Sequence, residues 1–194
     1  MLEEFALYLQ LGFHHIADLA GYDHLLFVTA LAIPYAFRDW RRLAILVTEF
    51  TLGHSVTLAL ATLRLVSVPN ALVETLIPVT ILVTALLSWP RESRDEAPVR
   101  VPPVRYVLAA GFGLIHGLGF SNYLRGLLGQ EESIALPLFA FNVGLELGQL
   151  LILALVLAIG ALVVHTGLLS GRWRQVQVVV TASLAFILIA QRLM

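Results

Sequence analysis

The chain has 194 residues, 59% of them hydrophobic and 13% charged, with no cysteine and a formal net charge of −1; its mean hydropathy is +0.87. A soluble domain of this size must turn much of its surface to water and carries about twice this share of charge, so a soluble enzyme is excluded. A near-neutral balance offers no basic face to nucleic acid, and the lack of cysteine leaves no disulfide framework or thiolate metal site.

What remains is an all-α integral membrane protein, read as a bundle of six transmembrane helices in a single domain. The stretch from Leu2 to Ala20 carries Glu3 and Glu4 and no lysine or arginine. It has the wrong charge for a secretory signal and reads as a short amphipathic helix, interfacial or re-entrant, leading into the first span. Hydrophobic spans follow at about 22–37, 43–66, 71–89, 104–123, 136–164 and 175–193, against the roughly 20 residues that a bilayer requires. The polar stretch at 91–103 separates the first three from the last three. There is no convincing internal repeat; GHSVTLALA and FNVGLELGQ echo each other only partially.

There is no lysine, so the arginines set the orientation. Arg38, Arg41, Arg42, Arg91, Arg94, Arg100, Arg105, Arg172 and Arg174 fall on one side, and Arg64, Arg125 and Arg192 on the other. The richer side is predicted to be cytoplasmic, which places both termini outside.

Ionisable groups within spans are costly and point to function. Here they are Asp23, His24, Glu49, His54, Glu74, His116 and Glu146, with His14 and His15 just before the first span. Asp23, His24, Glu74 and His116 fall in the outer half, His54 near the middle and Glu146 between. Glu49 lies deeper and is turned about 140° from His54 around its helix. Asn142, Glu146 and Gln149 share one helical face, and Thr51, His54, Ser55 and Thr57 form a polar patch. Gly113 and Gly117, like Gly144 and Gly148, are spaced for close helix approach.

Imidazole and carboxylate without thiolate suit divalent nickel, cobalt, zinc or manganese. The candidate metal ligands are His15, Asp23, His24, His54, His116 and Glu146, supported by Glu49, Ser55, Glu74 and Asn142. Plainer readings exist for single members: a lone membrane histidine as an interhelical hydrogen-bond donor, Glu74 as a capping or snorkelling carboxylate, the glycines as packing residues. His165 falls in a loop and is expected to have no role.

The segments HHIADLAGYDHLLF, FTLGHSVTLALA, VETLIPVTILVTAL, FGLIHGLGFSNYL and FNVGLELGQL, in this order, resemble the HupE/UreJ family of bacterial membrane proteins, over nearly the whole chain. The resemblance implies a six-helix permease of the bacterial inner membrane, associated with nickel or cobalt supply to hydrogenase and urease. Asp23 and His24 match the Asp-His pair of the family's nickel branch, which carries its preceding histidine closer than His15 stands here. His116 and Gly117 match part of a two-histidine motif whose other histidine and glutamate are absent, and Glu74 corresponds to a carboxylate of the third span.

The leading expectation is a secondary transporter for a divalent transition metal. An intramembrane zinc-dependent hydrolase, with Ser55, Asp23 and Glu146 supplying polar chemistry, is the alternative. A metal-stabilised scaffold is the third.

Overall fold

A computed structural model of the chain describes residues 1–18, 21–90, 101–128, 133–167 and 172–194. Arg91, Arg94 and Arg100, and most of the polar stretch at 91–103, lie outside the described residues. Among the described residues there are helices and no strand: α1 (Leu2–Ala17), α2 (Asp23–Ala32), a 3-10 turn (Phe37–Asp39), α3 (Trp40–Thr62), α4 (Asn70–Leu87), α5 (Pro103–Leu128), α6 (Ala135–Thr166) and α7 (Trp173–Leu193).

Proline and left-handed residues set several boundaries. Pro103 opens α5 at the position where its missing N–H costs nothing. Gly167, at φ 65°, ends α6. Just past the end of α3, Arg64 is also left-handed (φ 61°), with the Leu65 amide donating to the Leu60 carbonyl at 2.9 Å.

Five segments are long and apolar enough to cross a bilayer: Phe37–Thr62, Asn70–Leu87, Pro103–Ser121, Ala135–Thr166 and Trp173–Leu193. The outer surface is apolar, with Leu52, Val56, Val107, Leu151, Leu155, Ile159 and Phe186 exposed, whereas His24, His54, Thr80, His116, Ser121 and Gln149 are buried. An apolar exterior around a polar interior is the arrangement that lipid demands. The chain is a multi-pass membrane protein.

The first expected span differs from its sequence reading. Only Asp23–Ala32 is α-helical there, ten residues and about 15 Å, half of a hydrocarbon core. The N-terminal helix α1 runs along α6. Its buried stripe, Tyr8, Gly12 and Ile16, repeats every four residues and faces that helix.

Two helix pairs are built on glycine. A Cβ at Gly12 would overlap the Phe141 carbonyl, and one at Gly144 the Leu9 carbonyl, so α1 and α6 touch backbone to backbone. In α3 and α5, Gly53 meets the Ala110 carbonyl, Gly113 the Phe50 carbonyl and Gly117 the His54 carbonyl. In both pairs the residue numbers rise together, so the partners run parallel. The faint echo between the segments around Gly53 and Gly144 thus has a physical counterpart: each glycine is the crossing point of its pair.

Other contacts fix the remaining directions. Arg105 donates to the Leu87 carbonyl at 3.0 Å, and His116 meets Thr80 further along, so α4 and α5 are antiparallel. Arg192 pairs with Glu74 at 2.8 Å, which makes α7 antiparallel to α4. Ser55 with Asn142 and Thr51 with Gln149 make α3 antiparallel to α6. The Ser88 hydroxyl, just past α4, donates to the Ala30 carbonyl near the end of α2 at 3.0 Å, while Asp23 at the start of α2 feels the Glu74 and Arg192 charges. α2 therefore runs with α4.

Candidate functional site

Four imidazoles from four helices meet inside the bundle. His15 comes from the last turn of α1, His24 from the first turn of α2, His54 from α3 and His116 from α5. Ring centres are 4.9 Å apart for His15–His24, 5.4 Å for His24–His116, 6.0 Å for His24–His54 and 6.3 Å for His15–His54. His24, His54 and His116 are buried.

The break between α1 and α2 explains how His15 joins them. α1 ends at Ala17 and α2 begins at Asp23, so His15 and His24 ride on separate helices and their spacing in the sequence does not set their relative direction. The glycine contacts place the other two: Gly53, Gly113 and Gly117 hold α3 and α5 together around His54 and His116.

Hydrogen bonding sets this cluster apart from a set of packing histidines. His15 Nε2, His24 Nε2, both nitrogens of His54 and His116 Nδ1 are buried and have no hydrogen-bond partner among the described residues. Each such group costs about 1–3 kcal/mol. The reading of His54 as an interhelical donor is therefore set aside. Among the described residues His116 is anchored, its Nε2 lying 2.9 Å from Thr80 Oγ1, whose hydroxyl also reaches the Ile77 carbonyl at 2.7 Å. With that hydroxyl donating to Ile77, Nε2–H donates to Thr80 and Nδ1 is left as a lone pair without a partner among the described residues. The walls are aromatic. Phe120 lies 3.9 Å from His15, and Phe27 and Phe50 lie 5.2 and 5.0 Å from His116, centre to centre. The rings are gathered but not aimed: among the described residues no three His, Asp or Glu side chains stand ready to hold one ion.

The carboxylates lie elsewhere. Asp23 follows its own direction around α2 and sits under the charges of Arg192 and Glu74. Glu74 pairs with Arg192 at the outer surface of the bundle. Glu49 has no ion-pair partner among the described residues. Glu146 accepts from Thr48 Oγ1 at 2.6 Å through Oε1. Next to it, Thr51 donates to Gln149 Oε1 at 2.7 Å and Ser55 to Asn142 Oδ1 at 2.6 Å. The shared face of Asn142, Glu146 and Gln149 thus exists and is spent on α3. Such interhelical bonds average about 0.6 kcal/mol in membranes. An intramembrane acidic group costs about 2.5 kcal/mol or more on insertion scales. The seam holds the helices together too weakly to account for its carboxylate.

Three groups at the site escape a reading of the sequence alone. Thr80 is one of several threonines in α4, and nothing in its spacing marks it as the partner of His116. Phe27 and Phe120 read as ordinary core. His14 and His165 are exposed and stand apart; His165 lies in the last turn of α6, not in a loop.

With this geometry in view, the comparisons with known proteins are brief. The family model described as HupE / UreJ protein matches residues 1–194, the whole chain. The chain belongs to the HupE/UreJ family. No curated protein and no solved structure matches it.

Proposed function

We propose that this HupE/UreJ protein is a secondary transporter for a divalent transition metal, nickel or cobalt by its family, held in transit by His15, His24, His54 and His116. The observation that carries the reading is the set of buried ring nitrogens without partners, converging from four helices. Four imidazoles around one ion, at metal–nitrogen distances of about 2 Å, have ring centres about 5 Å apart. Four of the six spacings between the rings, at 4.9–6.3 Å, are close to that, so rotation of the rings with closure around His116 assembles the site. Neutral imidazole suits nickel, cobalt and zinc better than manganese, which favours oxygen.

Fold and family support the rest of the reading. α1 and α2 run in the same direction and together form one broken crossing, with α3 to α7 as five more. Directions then alternate through six crossings of the bacterial inner membrane, and both termini lie outside. A break in a membrane helix is tolerated where it borders a site, and discontinuous helices commonly build the ion sites of transporters. The hydrolase is less well supported: a catalytic zinc keeps an open position and an acid or base beside it, whereas Asp23, Glu74 and Glu146 are engaged away from the imidazoles.

The test is uptake of nickel, cobalt, zinc and manganese into proteoliposomes. Saturable uptake of nickel or cobalt, lost in His24→Ala, is the expected result. Stoichiometric binding with no flux of any metal sinks the transport reading. Thr80→Val is expected to weaken binding about 10–100-fold, the usual effect of removing a group that orients a ligand. Equal affinity in a titration of the two proteins would show that His116 does not need its anchor.

A further inference from the structure

The α3–α6 seam is unlike the other close helix contacts. α1–α6 and α3–α5 are held by glycines against carbonyls. Between α3 and α6, hydroxyls of Ser55, Thr51 and Thr48 meet side-chain oxygens of Asn142, Gln149 and Glu146 at 2.6–2.7 Å. The seam begins next to His54 and follows α3 for about 10 Å toward its arginine-rich start. It has unmet bonding capacity: Gln149 is 0% exposed with Nε2 unpartnered, and Glu146 Oε2 is buried and unpartnered. Glu146 also lacks a counter-cation, since the ion pairs among the described residues are Met1–Glu4, Arg42–Asp39 and Arg192–Glu74.

We propose that this seam is a water-accessible, cation-selective passage from the imidazole cluster toward the arginine-rich side, which a partly hydrated divalent cation follows by exchanging waters for hydroxyl, amide and carboxylate oxygens. The cargo rests on the transport reading above; the passage itself does not. The oxygens suit an exit: they bind a partly hydrated ion more weakly than a closed imidazole cage, and conduction requires sites weak enough to leave. Glu146 supplies the negative charge that draws a cation off four neutral rings.

The absence of cysteine makes the test direct, because each introduced thiol is the only one. Thr51→Cys and Ser55→Cys, in membrane vesicles exposing the arginine-rich face, are treated with a cationic and an anionic methanethiosulfonate. Leu52→Cys, on the lipid-facing side of the same helix and 57% exposed, is the control. The expected result is modification of both seam thiols by the cationic reagent, little by the anionic one, and none at Leu52→Cys. Glu146→Gln should abolish the charge preference while leaving the thiols reactive.

Seam thiols that stay as inert as Leu52→Cys, yet react once the protein is denatured, overturn the passage. Equal reaction with both reagents overturns its selectivity. Labelled seam thiols in a protein that moves no metal in proteoliposomes would leave the passage standing and sink the transport reading alone.

Discussion

Replacing His54 or His116 by alanine is expected to abolish nickel, cobalt and zinc binding while leaving folded protein in the membrane at wild-type levels. Each ring is buried, and each carries at least one nitrogen without a partner. Removing a buried group with no partner takes away its desolvation penalty, which offsets the packing lost with the ring. The fold should therefore tolerate the change better than it would the loss of a core leucine. Binding has no such compensation. Orienting groups alone are worth about 10–100-fold in metal affinity, and a direct ligand is worth more. Titration calorimetry in detergent should show a loss of at least about 100-fold for each variant. His14→Ala and His165→Ala, both exposed and remote from the cluster, should bind like the parent. If His54→Ala and His116→Ala also bind like the parent, the imidazoles are not the site.

The class of fold was legible because lipid imposes one requirement on every span, and composition reports it. The histidines were legible for a related reason: an imidazole costs too much in a membrane to be there by accident, so its position is informative even without a partner in view. What the sequence hid was contact. Asp23 adjoins His24 in the chain, yet about 100° of helical rotation sends it toward Arg192 and Glu74. Glu146 shares the expected face with Asn142 and Gln149, but which neighbour that face meets depends on how α6 packs, and that was not readable from one helix. Thr80 was hidden because threonine is common in membrane helices and its hydroxyl satisfies itself on its own backbone, as Thr84 does on the Thr80 carbonyl at 2.8 Å. The shortness of α2 was hidden because Ile33, Pro34 and Tyr35 extend an apolar run without extending a helix. The packing of α1 was hidden because Gly12, the single glycine that lets it lie on α6, carries little weight in any measure of hydrophobicity.

Glycine also supplies the prediction with the largest effect on folding. Gly113→Ala and Gly53→Ala are expected to deplete folded protein, while Gly126→Ala leaves it unchanged or slightly more stable. A Cβ at Gly113 would overlap the Phe50 carbonyl, and one at Gly53 the Ala110 carbonyl. Both obstacles are backbone, so no rotamer change relieves them and α3 must move away from α5. Overpacking usually costs about 1–3 kcal/mol, and occasionally more. Here the separation also strips contact along two long helices and pulls Arg125 from the Ala61 carbonyl it now reaches at 2.7 Å. Gly126 has nothing within 4 Å of a Cβ, so alanine there meets no obstacle and brings its better helix propensity, up to about 1 kcal/mol. Thermal unfolding of detergent-purified variants, monitored by size-exclusion fluorescence, separates these cases. The same variants test how the site is built. His54 and His116 ride on the two helices that Gly113 joins, so any folded fraction of Gly113→Ala should bind metal more weakly than its stability alone predicts. A Gly113→Ala protein with parental melting and parental affinity would mean that α3 and α5 can part without disturbing either the bundle or the cluster, and that the glycine crossing does not position the imidazoles.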